Sequence, residues 1–257
     1  MKKTLIIGDT HGSPDALMDI LRRSGAINKA GNRNSNVRVI HIGDLCNMAP
    51  HGVSYRGFLS NDLKTLQLAQ KYIDKIIIGN HEAWFIYGFD NFRWTGMANW
   101  HQLEPGVTKL LFKMYKEGKW TFVACIHEHV LTHAGIAPQM NGLFEGQTHR
   151  QIANTINRSF FKFCDDHDCS DLEEQLFGNV GPTVGGWDEF GGIIWTRFPE
   201  WKGEIKIRQI VGHTPDESHP RYYPEYKTWA IDSGGYRDGK GSGIMWNNLL
   251  QEWEVVD

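Results

Sequence analysis

Five short stretches of this chain combine glycine with residues that bind metal ions or move protons. They are Gly8-Asp9-Thr10-His11-Gly12, Gly43-Asp44, Gly79-Asn80-His81-Glu82, His133-Ala134-Gly135 and Gly212-His213-Thr214. The candidates among their side chains are two carboxylates (Asp9, Asp44), an amide oxygen (Asn80) and four imidazoles (His11, His81, His133, His213). A mixed oxygen and nitrogen set suits borderline divalent cations such as manganese, iron or zinc. The one thiol nearby, Cys46, does not make a thiolate-rich structural zinc site. With His81 set aside, the six others are too many for one tetrahedral ion and suit two ions that share a carboxylate, with Asp44 as the natural bridge. Two ions about 3.5–4 Å apart can clamp both oxygens of an in-line phosphoryl displacement and activate a water between them. His81 adds a proton that titrates near neutrality. A lone histidine after a strand is ordinarily a hydrogen-bonded turn residue, and His127, His129, His149 and His219 are read that way. Five strand ends of one kind call for a common cause.

Those strand ends are set by the apolar runs before them. Residues 4–8 form the first strand. Ser13 is a helix N-cap with Pro14 at the first helical position, Ala16, Leu17, Ile20 and Leu21 share one face, and Gly25 ends the helix. Val37 to Ile42 is the second strand, and Met48 to Ser60 a long loop. Leu63, Leu66, Ala69, Gln70 and Ile73 give a second helix, and Lys75 to Ile78 the third strand. Strand, helix, strand, helix, strand with apolar strands is the pattern of an α/β sheet, which presents ligands at its strand C-termini. Further strands are expected at Thr121–Ile126, Val130–Thr132, Ile193–Arg197, Ile210–Val211, Trp229–Asp232, Gly243–Trp246 and at the end of the chain, with a helix over 148–164 and a loop over 178–192. Within residues 84–118, Trp84, Phe85, Tyr87, Phe89, Phe92, Trp94 and Trp100 crowd together without a clean period. They read as a small core that packs an insertion, or as a cap with rings facing substrate. Gly234 to Gly243 reads as a turn near the pocket mouth, and Cys164 to Cys169 as a solvated loop.

Composition bounds the partners. The chain has 257 residues, 40% hydrophobic and 22% charged, with net charge −3, so it reads as globular, long enough for one large domain or two small ones, with no electrostatic footprint for duplex nucleic acid. The apolar run after Met1-Lys2-Lys3 stops at Asp9, too short for a signal peptide, and nothing approaches the ~20 apolar residues of a membrane span. Four scattered cysteines make no disulfide framework, so a cytoplasmic setting is expected.

The order and spelling of the five stretches resemble the blocks of the calcineurin-like metallophosphoesterases, and the Gly-His-Thr ending resembles the phosphoprotein-phosphatase branch. Leu131 to Gln139 is similar to bacterial symmetrical diadenosine tetraphosphatases. Ile193 to Arg197 and Ile231-Asp232-Ser233-Gly234 are similar to bacterial and phage phosphatases of that branch. The likeness covers residues 4–87, 121–139 and 193–246, and leaves insertions at about 88–120 and 140–190. It implies an α/β fold, a central β-sandwich flanked by helices, with the insertions capping the site within one domain over 1–257. It implies two divalent transition ions, manganese before iron or zinc. Asp9 and His11 would hold the first ion, Asp44 would bridge, and Asn80, His133 and His213 would hold the second. His81 would be the general acid, and Arg197 would grip phosphate oxygens. The implied reaction is attack on a phosphomonoester, of a phosphoprotein or small molecule, by a hydroxide held between the ions. A dinucleoside polyphosphate hydrolase is the alternative, and a metal-binding interaction module with reduced turnover a third reading.

One block departs from the family pattern. It reads Gly43-Asp44-Leu45-Cys46-Asn47-Met48, with Asn47 where the family has an aspartate and Met48 where it has an arginine. Asn47 is therefore expected to fix the His81 tautomer through its amide oxygen without stabilising imidazolium by charge. Arg56 is the nearest residue in sequence able to restore the missing cation.

Overall fold

The computed structural model describes residues 2–47, 54–55, 58–59, 61–87, 105–165, 173–215 and 220–256. In chain order the elements are β1 (Lys3–Ile7), α1 (Pro14–Arg23), β2 (Val37–His41), β3 (Ser54–Tyr55), β4 (Phe58–Leu59), α2 (Asp62–Tyr72), β5 (Lys75–Ile77), α3 (Asn80–Tyr87), α4 (Pro105–Lys116), β6 (Trp120–Thr121), β7 (Ala124–Ile126), β8 (His129–Leu131), α5 (His149–Asp165), β9 (Gln209–Val211), β10 (Arg221–Tyr223), β11 (Thr228–Ala230), β12 (Gly243–Asn247) and β13 (Glu252–Val255). The strands form a six-stranded sheet in the order β13-β12-β1-β2-β5-β6 and a five-stranded sheet in the order β10-β11-β9-β8-β7, with β3 and β4 pairing separately. Strands β1, β2, β5 and β6 run parallel, as do β8, β9 and β11. Parallel neighbours bring their C-terminal ends to one edge, and five of those ends carry the ligand-bearing stretches.

The apolar runs are continuous because both faces of each central strand are buried. Ile6, Ile40 and Ile77 of one sheet meet Leu131 and Ile210 of the other in an inner core that also holds Ile231, Ile244, Trp246 and Trp253. Their strand neighbours Leu5, Ile7, Val39, Ile76 and Val130 point the other way, into the outer core, as a period of two requires. On α1 the Ser13 hydroxyl accepts from the Ala16 N–H, and Ala16, Leu17, Ile20 and Leu21 are the buried residues. Helix α5 packs on β7 and β8. The result is a two-sheet sandwich flanked by helices. Among the described residues, no helix is long and apolar enough to cross a membrane.

Several expectations are corrected. The run Thr121–Ile126 is two strands in different sheets, because β6 pairs with β5 and β7 with β8. Asn157 of α5 makes the corner possible. Its Oδ1 accepts from the Phe122 and Val123 N–H groups at 3.2 Å each, and its Nδ2 donates to the Val123 carbonyl at 2.8 Å. Residues 193–197 form a turn, not a strand, since Trp195 and Thr196 N–H both return to the Gly192 carbonyl at 2.9 Å. Part of the loop after Met48 is the β3–β4 hairpin. Helix α4, inside the stretch read as lacking a period, buries Val107, Leu111 and Met114 and packs on α2. Strand β10 is an edge strand with two exposed residues, so alternation did not mark it. Met48, Arg56 and residues 88–104 lie outside the described residues, as do His219 and most of Cys164–Cys169.

Candidate metal centre

Each candidate ligand follows a strand end within six residues, and the backbone bends sharply there. His11, Asp44 and His213 have positive φ angles of 43°, 47° and 65°. Non-glycine residues seldom enter this region, at a cost of about 1–3 kcal/mol each, and those that do concentrate at functional sites. Two neighbouring glycines are required by close approach. A Cβ on Gly79 would overlap the Asp44 carboxylate, and one on Gly212 would overlap that of Asp9.

Asp44 lies at the centre. Its Oδ2 stands 3.7 Å from His11 Nε2 and 3.7 Å from His81 Nε2, while its Oδ1 stands 3.3 Å from His133 Nε2. Asp9 Oδ2 is 3.8 Å from His11 Nε2, and Asn80 Oδ1 is 2.9 Å from His133 Nε2. The His133 and His213 rings meet edge to face at 5.0 Å. Potential ligand atoms thus gather in two groups, His11–Asp44–His81 and Asp44–His133–His213, with Asp44 common to both. Two atoms that each bind an ion at about 2.1 Å lie roughly 3.0–3.4 Å apart, so small shifts would close these gaps around a cation. All of these residues are at least 93% buried.

The electrostatics ask for cations. Burial raises the Asp9 carboxyl well above its usual range, and Asp232, Asp44 and Glu82 push it further, against a backbone hydrogen bond from His213. Burial would raise Asp44 too, but His133, His81 and His11 together hold it well below the usual range. His133 is lifted by Asp44 in spite of its burial. His213 is lowered by burial and by the neighbouring His133. Asp9 Oδ1 and His213 Nε2 are buried with no hydrogen-bond partner among the described residues. Buried polar atoms left so are rare and costly, and a divalent ion in the Asp44–His133–His213 group would satisfy His213 Nε2. The donor set therefore fits two ions.

The surroundings fix these ligands. Glu82 is fully buried. Its Oε2 accepts the Asp44 N–H at 3.0 Å and the Gly79 N–H at 3.2 Å, and its Oε1 accepts the Cys46 N–H at 2.9 Å. Burial, then Asp44, raises its pKa to about 8. The Tyr236 ring packs against His11 at 4.5 Å between centroids. His81 Nδ1 lies 3.1 Å from the backbone carbonyl of Asn47, so Nδ1 carries the proton and Nε2 faces Asp44. This contact comes from the Asn47 main chain; the side-chain amide of Asn47 is buried without a hydrogen-bond partner among the described residues. Arg197 is half-buried and close enough to lower the pKa of His213 by its charge. Sequence reading gave no role to Glu82, His41, Asp232 or Tyr236. The signals were a carboxylate inside a ligand block and a histidine inside an apolar strand.

A family model described as calcineurin-like phosphoesterase matches residues 2–231. No curated protein matches the sequence. Among solved structures, the fold resembles the cold-active protein-tyrosine phosphatase of a psychrophilic Shewanella species at 18% identity and TM-score 0.63, over 100% of this chain and 81% of that one. It also resembles a candidate diadenosine tetraphosphatase at 16% identity and TM-score 0.53, over 99% of this chain and 93% of that one. At these identities the likeness shows the fold alone. The family match over most of the chain shows that this protein belongs to the calcineurin-like phosphoesterases, a family of dimetal-dependent hydrolases.

Proposed function

We propose that the protein hydrolyses phosphomonoesters, with Mn²⁺ as the working metal. The observation that carries this reading is the division of Asp44, one oxygen toward His11 and His81 and the other toward His133. Asp9, His11 and Asp44 would hold one ion, and Asp44, Asn80, His133 and His213 the other. Bound there, two ions polarise phosphoryl oxygens and acidify a water. The chain supplies the rest. With Nδ1–H held by the Asn47 carbonyl, a protonated His81 would pass its Nε2–H, which faces the Asp44 side of the site, to a leaving oxygen beside the ions. Arg197, on the His213 side, would orient the phosphoryl group. The free thiols of Cys46 and Cys125 accord with a reducing, cytoplasmic setting.

The test is turnover by the Mn²⁺-loaded protein of an alkyl phosphate, a nitrophenyl phosphate, a nitrophenyl diester and diadenosine tetraphosphate. Monoesters should be preferred. His81→Asn should lose about 10²–10⁴-fold on the alkyl ester, whose leaving oxygen needs the proton, and much less on nitrophenyl phosphate. Equal losses on the two monoesters would remove His81 as the acid. The second reading, hydrolysis of dinucleoside polyphosphates, is favoured by Leu131 to Gln139 and accords with the diadenosine tetraphosphatase neighbour. Preferential cleavage of diadenosine tetraphosphate would establish it over the first.

A further inference from the structure

His41 is a buried histidine that the proposed reaction does not use. It sits at the end of β2, three residues before Asp44, with no exposed surface. The Gly43 N–H donates to its Nδ1 at 3.3 Å, so the ring proton is on Nε2. Nε2 lies 3.1 Å from Thr10 Oγ1, and that hydroxyl donates to the Leu45 carbonyl at 3.2 Å. The four groups thus form a one-way chain, from the Gly43 N–H through His41 and Thr10 to the Leu45 carbonyl. It begins one residue before Asp44 and ends one residue after it. Its midpoint, Thr10, lies between Asp9 and His11 and is itself fully buried.

The same two loops are joined by backbone bonds. The Thr10 and His11 N–H groups donate to the Asp44 carbonyl at 3.2 and 2.8 Å, and the Gly12 N–H donates to the Leu45 carbonyl at 2.8 Å. His11 and Asp44 are two of the residues held at positive φ. Such a conformation persists only where the surroundings over-determine it. The only side chains that span both loops in this chain of bonds are those of His41 and Thr10.

We infer that the His41–Thr10 pair is a positioning device that holds His11 and Asp44 at the spacing one metal ion requires. The inference rests on reading the site as a metal centre. Partners that orient metal ligands from behind typically contribute 10–100-fold to affinity. His41→Leu and Thr10→Val remove one link each, and His41→Gln keeps a donor toward Thr10.

Mn²⁺ titration of the purified chain, with thermal unfolding of the metal-free form, tests this. The unaltered chain should bind two equivalents; binding of none would overturn the metal centre and this inference with it. Given two, His41→Leu and Thr10→Val should each weaken one equivalent by about 10–100-fold, the double variant should be little weaker than either, and His41→Gln should restore most of the affinity. Thr10→Val is close to isosteric and keeps the test open should His41→Leu fail to fold. Variants with a lowered unfolding midpoint but Mn²⁺ affinity within about twofold of the unaltered chain would make the pair merely structural and overturn the inference.

Discussion

Replacing Glu82 by glutamine tests whether the ligand loops are held from behind by one carboxylate. The buried side chain accepts three N–H groups, two on Oε2 from Asp44 and Gly79 and one on Oε1 from Cys46. An amide can keep the Oε2 side and its two bonds. Its NH₂ then faces the Cys46 N–H, donor against donor. One charge-assisted hydrogen bond is lost, and a buried N–H is left unsatisfied. Each description of that loss gives about 1.5–3 kcal/mol, and the two overlap, so the expected cost is roughly 2–4 kcal/mol. A compensating gain acts only without metal. Burial and Asp44 disfavour the Glu82 charge, raising its pKa to about 8, and the uncharged amide escapes that penalty. Bound cations would favour the charged carboxylate and cancel the gain. Urea unfolding of Glu82→Gln should therefore show the larger destabilisation with Mn²⁺ present, and Mn²⁺ affinity should fall. A change below about 0.5 kcal/mol in both conditions, with affinity unaltered, would refute the reasoning.

Asp44→Asn should reduce metal content by elemental analysis from near two equivalents toward none, because both groups share this carboxylate; a stable single equivalent would mean that it does not bridge. His41, lowered to about 3 by burial, resists in the folded state a proton that the unfolded chain accepts near pH 6.5. The folded form thus binds fewer protons, and its stability is full well above pH 6.5 and falls as pH drops toward 3, by about 1.6 kcal/mol between pH 6.5 and 5. Metal-free His41→Gln should show a shallower loss by urea unfolding over that range, and identical slopes would exclude His41 as a source of acid sensitivity. Asn47→Asp, if its carboxylate reaches His81, should move the alkaline limb of the pH–rate profile on an alkyl phosphate upward by about 1–3 units; an unmoved limb would mean that the side chain at position 47 does not act on His81.

The sandwich was legible where both faces of a strand are buried. Leu5 to Ile7, Val39 to Ile42 and Ile76 to Ile78 are apolar at every position apart from His41, and each proved to feed one core on one side and another on the opposite side. Helix α1 was legible down to its cap. What escaped was set by distant partners. Nothing local in Thr121–Ile126 shows that the run changes sheets at Phe122, since the groups that satisfy the corner belong to Asn157, over thirty residues away. The turn at 193–197 has strand-like composition, but Gly191 and Gly192 fold its backbone against Leu176 and Thr196 with no room for a Cβ.

At the site, the side chains that meet in two groups had all been marked by their types and by the strand ends before them. Their supports were less visible, for a physical reason. A ligand must be one of a few residue types, whereas a support need only present a donor or acceptor at the right place. Glu82 and His41 are titratable and left a trace. The acceptor for His81 Nδ1 is a main-chain carbonyl, a group that every residue carries and that no substitution at position 47 deletes. The orientation of His81 can therefore survive the replacement of an aspartate by Asn47. The charge that an aspartate would add cannot, so the consequence of the replacement should lie in the protonation of His81 and not in its position.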